Sequence, residues 1–185
     1  MVKVVVVNGR PGVGKTTFEE LCNDKAESLR FLGKRNIYIE VISTVDFVKE
    51  VATFCGWDGV KTLKSRKFLS DLKDLLAEWN DVPFKKIEEK VYELAEEKEE
   101  NHILFVDSRE PKEIERFKQT FQATTLLIRR PGDEDIETSN HADAGVFDYN
   151  YDYTVQNDGD LRNLRYEVVK FFKYIEGVNP YEFCN

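Results

Sequence analysis

Residues Gly9-Arg10-Pro11-Gly12-Val13-Gly14-Lys15-Thr16-Thr17 contain G-x-x-x-x-G-K-[ST], the pattern of a phosphate-binding loop. The pattern is credible only between a strand and a helix, and both flanks agree. Residues 2–7 are valines broken only by Lys3, as in a strand buried on both faces. Residues 16–32 read as a helix, with Phe18, Leu21, Cys22, Leu29 and Leu32 favouring one side. Gly9, Gly12 and Gly14 let the backbone turn tightly and approach a ligand. The resulting nest of N–H groups, above a helix N-terminus, suits phosphate oxygens. Gly9, Gly12, Val13, Gly14, Lys15, Thr16 and Thr17 are therefore the expected nucleotide-binding residues. Lys15 would reach the β- and γ-phosphates, and the Thr16 hydroxyl would hold Mg²⁺.

The chain of 185 residues suffices for one sizeable core, and we expect a single domain over 1–185. Its formal charge of −8, with no basic tail, argues against a dedicated binder of polymeric nucleic acid or of membrane surfaces. It does not oppose a nucleotide ligand, whose charge is met locally. Cys22, Cys55 and Cys184 lack metal-ligand spacing and read as two core thiols and one near the C-terminus, a pattern suited to a reducing cytoplasm. Lys3 and Asn8 bracket only four apolar residues, too few for a signal peptide, and no run approaches a membrane span.

Apolar patterning predicts further strands at 36–41, 103–106, 123–128 and 153–156. Helices are expected at 44–55, 65–79, 84–100, 110–119 and from 161 to 175. In the 65–79 helix Phe68, Leu69, Leu72, Leu75, Leu76 and Trp79 form one apolar stripe. In the 84–100 helix Ile87, Val91, Leu94 and Ala95 should face inward, with the charges solvated. Trp57, in the turn Gly56-Trp57-Asp58-Gly59, reads either as core or as flanking a base. Residues 129–144 carry Pro, Gly, Asn and five acidic residues and read as a loop or lid. Strands alternating with helices imply an α/β fold, a three-layer α/β/α arrangement around a five-stranded parallel sheet. Ligands bind such sheets at the carboxyl ends of the strands, where Gly9, Ser43, Asp107 and Arg129 all fall.

That edge supplies the other candidates. Asp107 ends an apolar strand, where a carboxylate either serves the Mg²⁺ shell beside Thr16 or caps the next helix. Arg109 would face the same anion site with a planar fork suited to phosphate. Arg129 and Arg130, ahead of the lid, would neutralise charge on a transferred phosphoryl group. His102 and His141 have no partner at nucleophile spacing and receive no catalytic role.

The chain resembles the nucleoside monophosphate kinases of the P-loop superfamily. Ser43-Thr44-Val45-Asp46-Phe47-Val48-Lys49 is similar to the S-T-G-D-x-x-R substrate motif of adenylate kinases, with Val45 for glycine and Lys49 for arginine. A closer resemblance is to the deoxynucleoside monophosphate kinases of phages and their bacterial relatives. It rests on Gly56-Trp57-Asp58-Gly59 with Lys64-Ser65-Arg66-Lys67-Phe68-Leu69, on Asp107-Ser108-Arg109-Glu110-Pro111-Lys112-Glu113 and on Asn140-His141-Ala142-Asp143. It also rests on residues 151–161, similar to a D-Y-x-[IV]-x-N-D-G-x-L ending and including Asn157.

The resemblance implies ATP and Mg²⁺ as donor and cofactor, with a nucleoside or deoxynucleoside 5′-monophosphate as acceptor. It implies that Lys15, Arg109, Arg129 and Arg130 stabilise the moving phosphoryl group. Ser43, Asp46, Lys49, Arg66 and Arg109 would hold the acceptor, and Asn157 would lie near the adenine. A helical flap at about 43–100 and a short lid at about 130–144 complete this picture. The lid segment Asp133-Glu134-Asp135-Ile136-Glu137 is acidic where adenylate kinases carry arginines. Two other readings stand beside this one: a P-loop kinase for another small-molecule acceptor, and a nucleotide-binding regulatory protein without kinase activity. The lack of an Asn-Lys-x-Asp guanine-reading segment argues against a signalling GTPase.

Overall fold

The computed structural model describes residues 1–135 and 145–176. Five strands, β1 (Val2–Asn8), β2 (Ile37–Ser43), β3 (Asn101–Asp107), β4 (Thr124–Arg129) and β5 (Tyr153–Gln156), form one sheet in the order β2-β3-β1-β4-β5. All four pairings are parallel. Among the described residues six α-helices accompany it: α1 (Lys15–Phe31), α2 (Asp46–Phe54), α3 (Leu63–Asn80), α4 (Val82–Glu96), α5 (Pro111–Phe121) and α6 (Leu161–Glu176). No helix among the described residues is long and apolar enough to cross a membrane.

The alternation of strand residues splits the core into two layers. On one face Val5, Val7, Phe105, Leu126 and Ile128 meet Phe18, Leu21, Cys22 and Ala26 of α1 and Leu164, Val168 and Phe171 of α6. On the other, Val4, Val6, Leu104 and Val106 meet Ile87 and Leu94 of α4 and Ile114 and Phe117 of α5. The predicted three-layer arrangement therefore holds, and so does the doubly buried central strand. Phe18 sits at the centre of the first layer, edge-on to Phe105 and Phe171 with centroids 6.5 and 5.6 Å away.

Local chemistry marks the helix ends. Thr62 and Ser65 form a reciprocal capping box at the start of α3. Asp81 adopts φ 55°, turning the chain from α3 into α4, and Pro83 occupies the first turn of α4. The Asp81 carboxylate takes both ends of the Arg116 guanidinium, which also lies 3.5 Å from the Phe84 ring centroid. Phe84 stacks in turn on Phe117 at 5.0 Å, so α4 is locked to α5 by an aromatic and ionic seam.

Three patterning expectations fail. The stripe on α3 is not buried: Phe68, Leu75 and Trp79 are exposed, Trp79 by 82%. Helix α3 packs against α2 and α4, not against the sheet, and only Leu69, Leu72 and Leu76 are even half-buried. Ala95 is exposed, and so is Leu32, which is the C-cap of α1 and not part of its buried face. Cys55 is exposed and so is not a core thiol, whereas Cys22 is fully buried. Trp57 is half-buried, with its indole N–H donating to Val60 O at 3.2 Å. Cys184 and lid residues 136–144, with the Asn140-His141-Ala142-Asp143 segment, lie outside the described residues.

Truncation of Phe18 removes a fully buried ring from between a strand and two helices. Phe18→Ala is expected to cost about 3–5 kcal/mol of unfolding free energy, measured by urea denaturation. An effect under about 1 kcal/mol would contradict this packing.

Candidate phosphate and cation site

The parallel sheet brings Asn8, Ser43, Asp107, Arg129 and Gln156 to one edge. Ser43 and Asp107 are register partners, as are Val7 and Asp107. The phosphate loop leaves this edge from the central strand. Gly9 has φ 150°, and a Cβ there would lie 2.5 Å from Ile128 O. At Gly14, with φ 102°, a Cβ would lie 2.5 Å from Asn157 Nδ2. Glycine is required at both positions by backbone angle and by space. Phe18 N donates to Gly14 O at 2.9 Å, so the loop runs directly into the first turn of α1. Lys15 Nζ donates to Gly9 O at 2.6 Å, folding the ammonium group across the loop.

Asn157, expected near the adenine, packs against the phosphate loop itself. Its Nδ2 donates to Val13 O at 2.8 Å, and its backbone N–H donates to Arg129 O at 2.8 Å. A cleft of about 380 Å³ opens beside it, lined by Arg129, Arg130, Asp133, Glu134, Gln156 and Asp158. A second cleft, of about 280 Å³, runs between the start of α2 and α4 and is lined by Ser43, Asp46, Phe47, Lys86 and Lys90 among others.

Asp107 is the electrostatic centre. Burial raises its pKa, Lys15 and Arg109 oppose the rise, and Asp46 and Lys49 act more weakly in opposite senses. Lys15, Arg109, Asp46 and Lys49 thus all lie within its field. The capping alternative fails: the N-cap position of α5 is Glu110, and Asp107 Oδ1 is buried without a hydrogen-bond partner. It is Ser108 Oγ that reaches the helix, donating to Glu113 Oε2 at 2.9 Å.

A second carboxylate, absent from the sequence expectations, shares this site. Glu19 lies one turn along α1 from Lys15 and is 5% exposed, and its Oε1 has no hydrogen-bond partner. Burial first, then Asp107, pushes its pKa from 4.5 to about 7, with Lys15 pulling the other way. Two buried carboxylate oxygens lacking donors, near the exposed Thr16, form a donor set suited to a hard divalent cation. The residues present therefore fit Mg²⁺.

The remaining candidates are placed unequally. Asp46 Oδ2 accepts from Ser43 N at 2.7 Å and Oδ1 from Lys49 Nζ at 2.7 Å, so this pair also braces the turn into α2. Arg66 is exposed near the start of α3, and Arg130 is exposed after β4. Arg129 is held by the acids that follow it: Nη2 is 3.0 Å from Asp133 Oδ1 and also bonds Glu134. Those two hydrogen bonds raise its pKa further.

Three more residues shape the edge and were not expected. Asn8, fully buried, accepts from Gly9 N at 2.8 Å and donates to Arg109 O at 3.3 Å and to Tyr151 Oη at 2.7 Å. Tyr151 Oη donates onward to Val146 O at 2.8 Å, and burial pushes this phenol up to about 12. Arg10 Nη1 donates to Asp133 O at 2.6 Å and Glu134 O at 2.8 Å, tying the phosphate loop to the lid base. Asn8 carried a usable signal, as the first polar residue ending an apolar strand. Glu19 carried a weaker one, four residues after Lys15 on a face otherwise apolar. Arg10 carried none.

The Glu19 carboxyl is more easily protonated folded than unfolded. Its contribution to stability is therefore full below pH 4.5 and is lost as pH rises through about 7. Glu19→Gln is expected to remove that loss, on the order of 2–3 kcal/mol at most, in urea denaturation compared at pH 5 and pH 8. A variant with the wild-type pH slope would refute the buried, donor-poor placement of Glu19.

No family model matches the chain, and no curated protein matches its sequence. The likeness lies in three dimensions. The chain is similar to a candidate kinase from Chloroflexus aurantiacus j-10-fl, with a TM-score of 0.52 and 11% identity over 96% of this chain and 97% of that one. It is similar also to dephospho-CoA kinase from Campylobacter jejuni, with a TM-score of 0.50 and 12% identity over 96% and 98%. Identity this low speaks for architecture alone. The chain has the three-layer α/β/α fold of the P-loop kinases.

Proposed function

We propose that this protein transfers the γ-phosphoryl group of ATP to a nucleoside or deoxynucleoside 5′-monophosphate. The observation that carries the reading is the convergence of Lys15, Arg109 and Lys49 on the field of Asp107 beside the phosphate loop. An acidic chain that gathers cations at one strand edge is built to receive anions there.

In this reading the amides from Gly14 to Thr17, at the N-terminus of α1, hold the donor phosphates. Lys15 leaves Gly9 O for the β- and γ-oxygens, an exchange of one carbonyl acceptor for charged ones. Thr16, Asp107 and Glu19 would hold Mg²⁺, which would supply neutralisation of the donor's charge. The cleft beside Asn157, Gln156 and Asp158 takes the base of the donor. Arg109, with Lys49 and Arg66, binds the acceptor phosphate. Ser43 and Asp46 order the turn that presents Lys49. Arg129 and Arg130 neutralise the transferred group once Arg129 exchanges Asp133 and Glu134 for phosphate oxygens.

Arg129's pairing with the lid acids also favours a second reading, in which the acceptor is another small molecule or none and the protein is a nucleotide-binding regulator. One of the two fold neighbours is named for a different acceptor, dephospho-CoA.

A coupled ADP-release assay with ATP and Mg²⁺ across ribo- and deoxyribonucleoside monophosphates separates these readings. Turnover that depends on one monophosphate is expected. Lys15→Ala should reduce it by at least about a hundredfold, and Arg109→Ala should weaken acceptor use more than ATP binding. Tight ATP binding without turnover on any monophosphate would sink the monophosphate kinase reading.

A further inference from the structure

At the opposite end of β3 from Asp107, a second cluster of ligand-type atoms stands apart from the phosphate loop. His102 is five residues from Asp107, about 16 Å along an extended strand. It pairs with Val2 of β1 and Tyr38 of β2, and its side chain is 2% exposed. The Tyr38 ring stacks on its outer side with centroids 5.6 Å apart, and Arg30 covers Tyr38 in turn. The imidazole is therefore fixed in orientation and shielded from water.

Glu97 and Glu100 face it from the turn that joins α4 to β3. That turn is closed by Glu100 N donating to Glu97 O at 3.1 Å, which brings the two carboxylates together. His102 Nε2 lies 3.0 Å from Glu97 Oε2 and 3.5 Å from Glu100 Oε2. Yet neither ring nitrogen makes a hydrogen bond. One ligand atom from each of the three residues lies within 4.8 Å of the others.

An imidazolium clamped between two carboxylates would aim an N–H along at least one of these contacts. Ligand atoms around a shared ion behave differently. With bonds of about 2.1 Å they stand roughly 3.0–3.4 Å apart at the edges of an octahedron or tetrahedron, off the axis of the nitrogen lone pair. The observed separations fall near this range, and the missing hydrogen bonds fit it. We propose that Glu97, Glu100 and His102 form a binding site for a divalent transition-metal ion of the Zn²⁺ or Mn²⁺ class, with Nε2 and one oxygen of each carboxylate as protein ligands and water completing the shell. An imidazole with two carboxylates favours such ions over Mg²⁺, which holds its waters and prefers oxygen. The ion would staple the end of α4 to the sheet. Helix α4 packs against α2 and α3, so the staple would also steady the base of the helical flap.

The test is calorimetric titration of the chelator-stripped, nucleotide-free full chain with ZnCl₂ and with MnCl₂, paired with thermal melting. One equivalent should bind with micromolar or tighter affinity and raise Tm. Glu97→Gln and Glu100→Gln, both in a solvent-facing turn, should each weaken binding at least tenfold while melting as the wild type does in chelator. Asp107→Asn should leave the titration unchanged, which separates this site from the phosphate-loop cation. Absence of saturable binding overturns the proposal. So does binding lost in Asp107→Asn but retained in Glu97→Gln. A Glu97→Gln variant that melts lower in chelator with no metal bound would assign the cluster to an ion pair and overturn the proposal equally.

Discussion

The functional edge depends on how closely the phosphate loop lies against its neighbours. A side chain at Gly9 would collide with Ile128 O, and one at Gly14 with Asn157 Nδ2, each at 2.5 Å. These contacts seat the loop between β4 and the segment after β5. Asn8 adds a side-chain brace to Gly9 N, and Asn157 another to Val13 O. The loop is thus held by side chains on both sides.

The second organising feature is a charge balance that is local rather than global. The chain carries −8 overall, yet the strand edge collects Lys15, Arg109 and Lys49 around Asp107. Two buried carboxylates with unpartnered oxygens sit among these cations. A buried group without its hydrogen bond costs stability, so such groups tend to mark a place where something else is meant to bind. The lid base shows the complementary tactic. Arg129 and Arg10 both lie over the Phe147 ring, 4.5 and 4.9 Å from its centroid, while Asp133 and Glu134 supply the matching charge and carbonyls. One aromatic ring, two backbone carbonyls and two carboxylates thus join the phosphate loop to the segment after β4.

Much of the fold was legible because its signals are local. The valines of β1, the loop glycines and the apolar spacing of α1 and α6 depend on residues adjacent in sequence. Among the described residues, every strand and α-helix was expected at nearly its observed place, whereas the short 3-10 turns at 133–135 and 145–147 were not. Burial was less legible. The stripe of α3 has the spacing of a core helix, but Phe68, Leu75 and Trp79 face outward because α3 rests on α2 and α4. Periodicity reports that a helix has an apolar face, not that a sheet lies opposite it. Cys55 misled for the same reason: a small apolar residue is buried only if the turn that carries it folds inward.

By itself, then, the chain determined a strand, a glycine-bearing loop and a helix meeting at one sheet edge, since each follows from backbone angles and short-range spacing. Tertiary structure alone decided which charges meet there. Asp46 turned out to brace Ser43 and Lys49, Arg129 to face its own lid acids, and Glu19 to lie buried beside Asp107. These pairings join residues whose separation in space is set by the crossing of strands and helices. Coulombic forces act through that space, and no reading along the chain measures it.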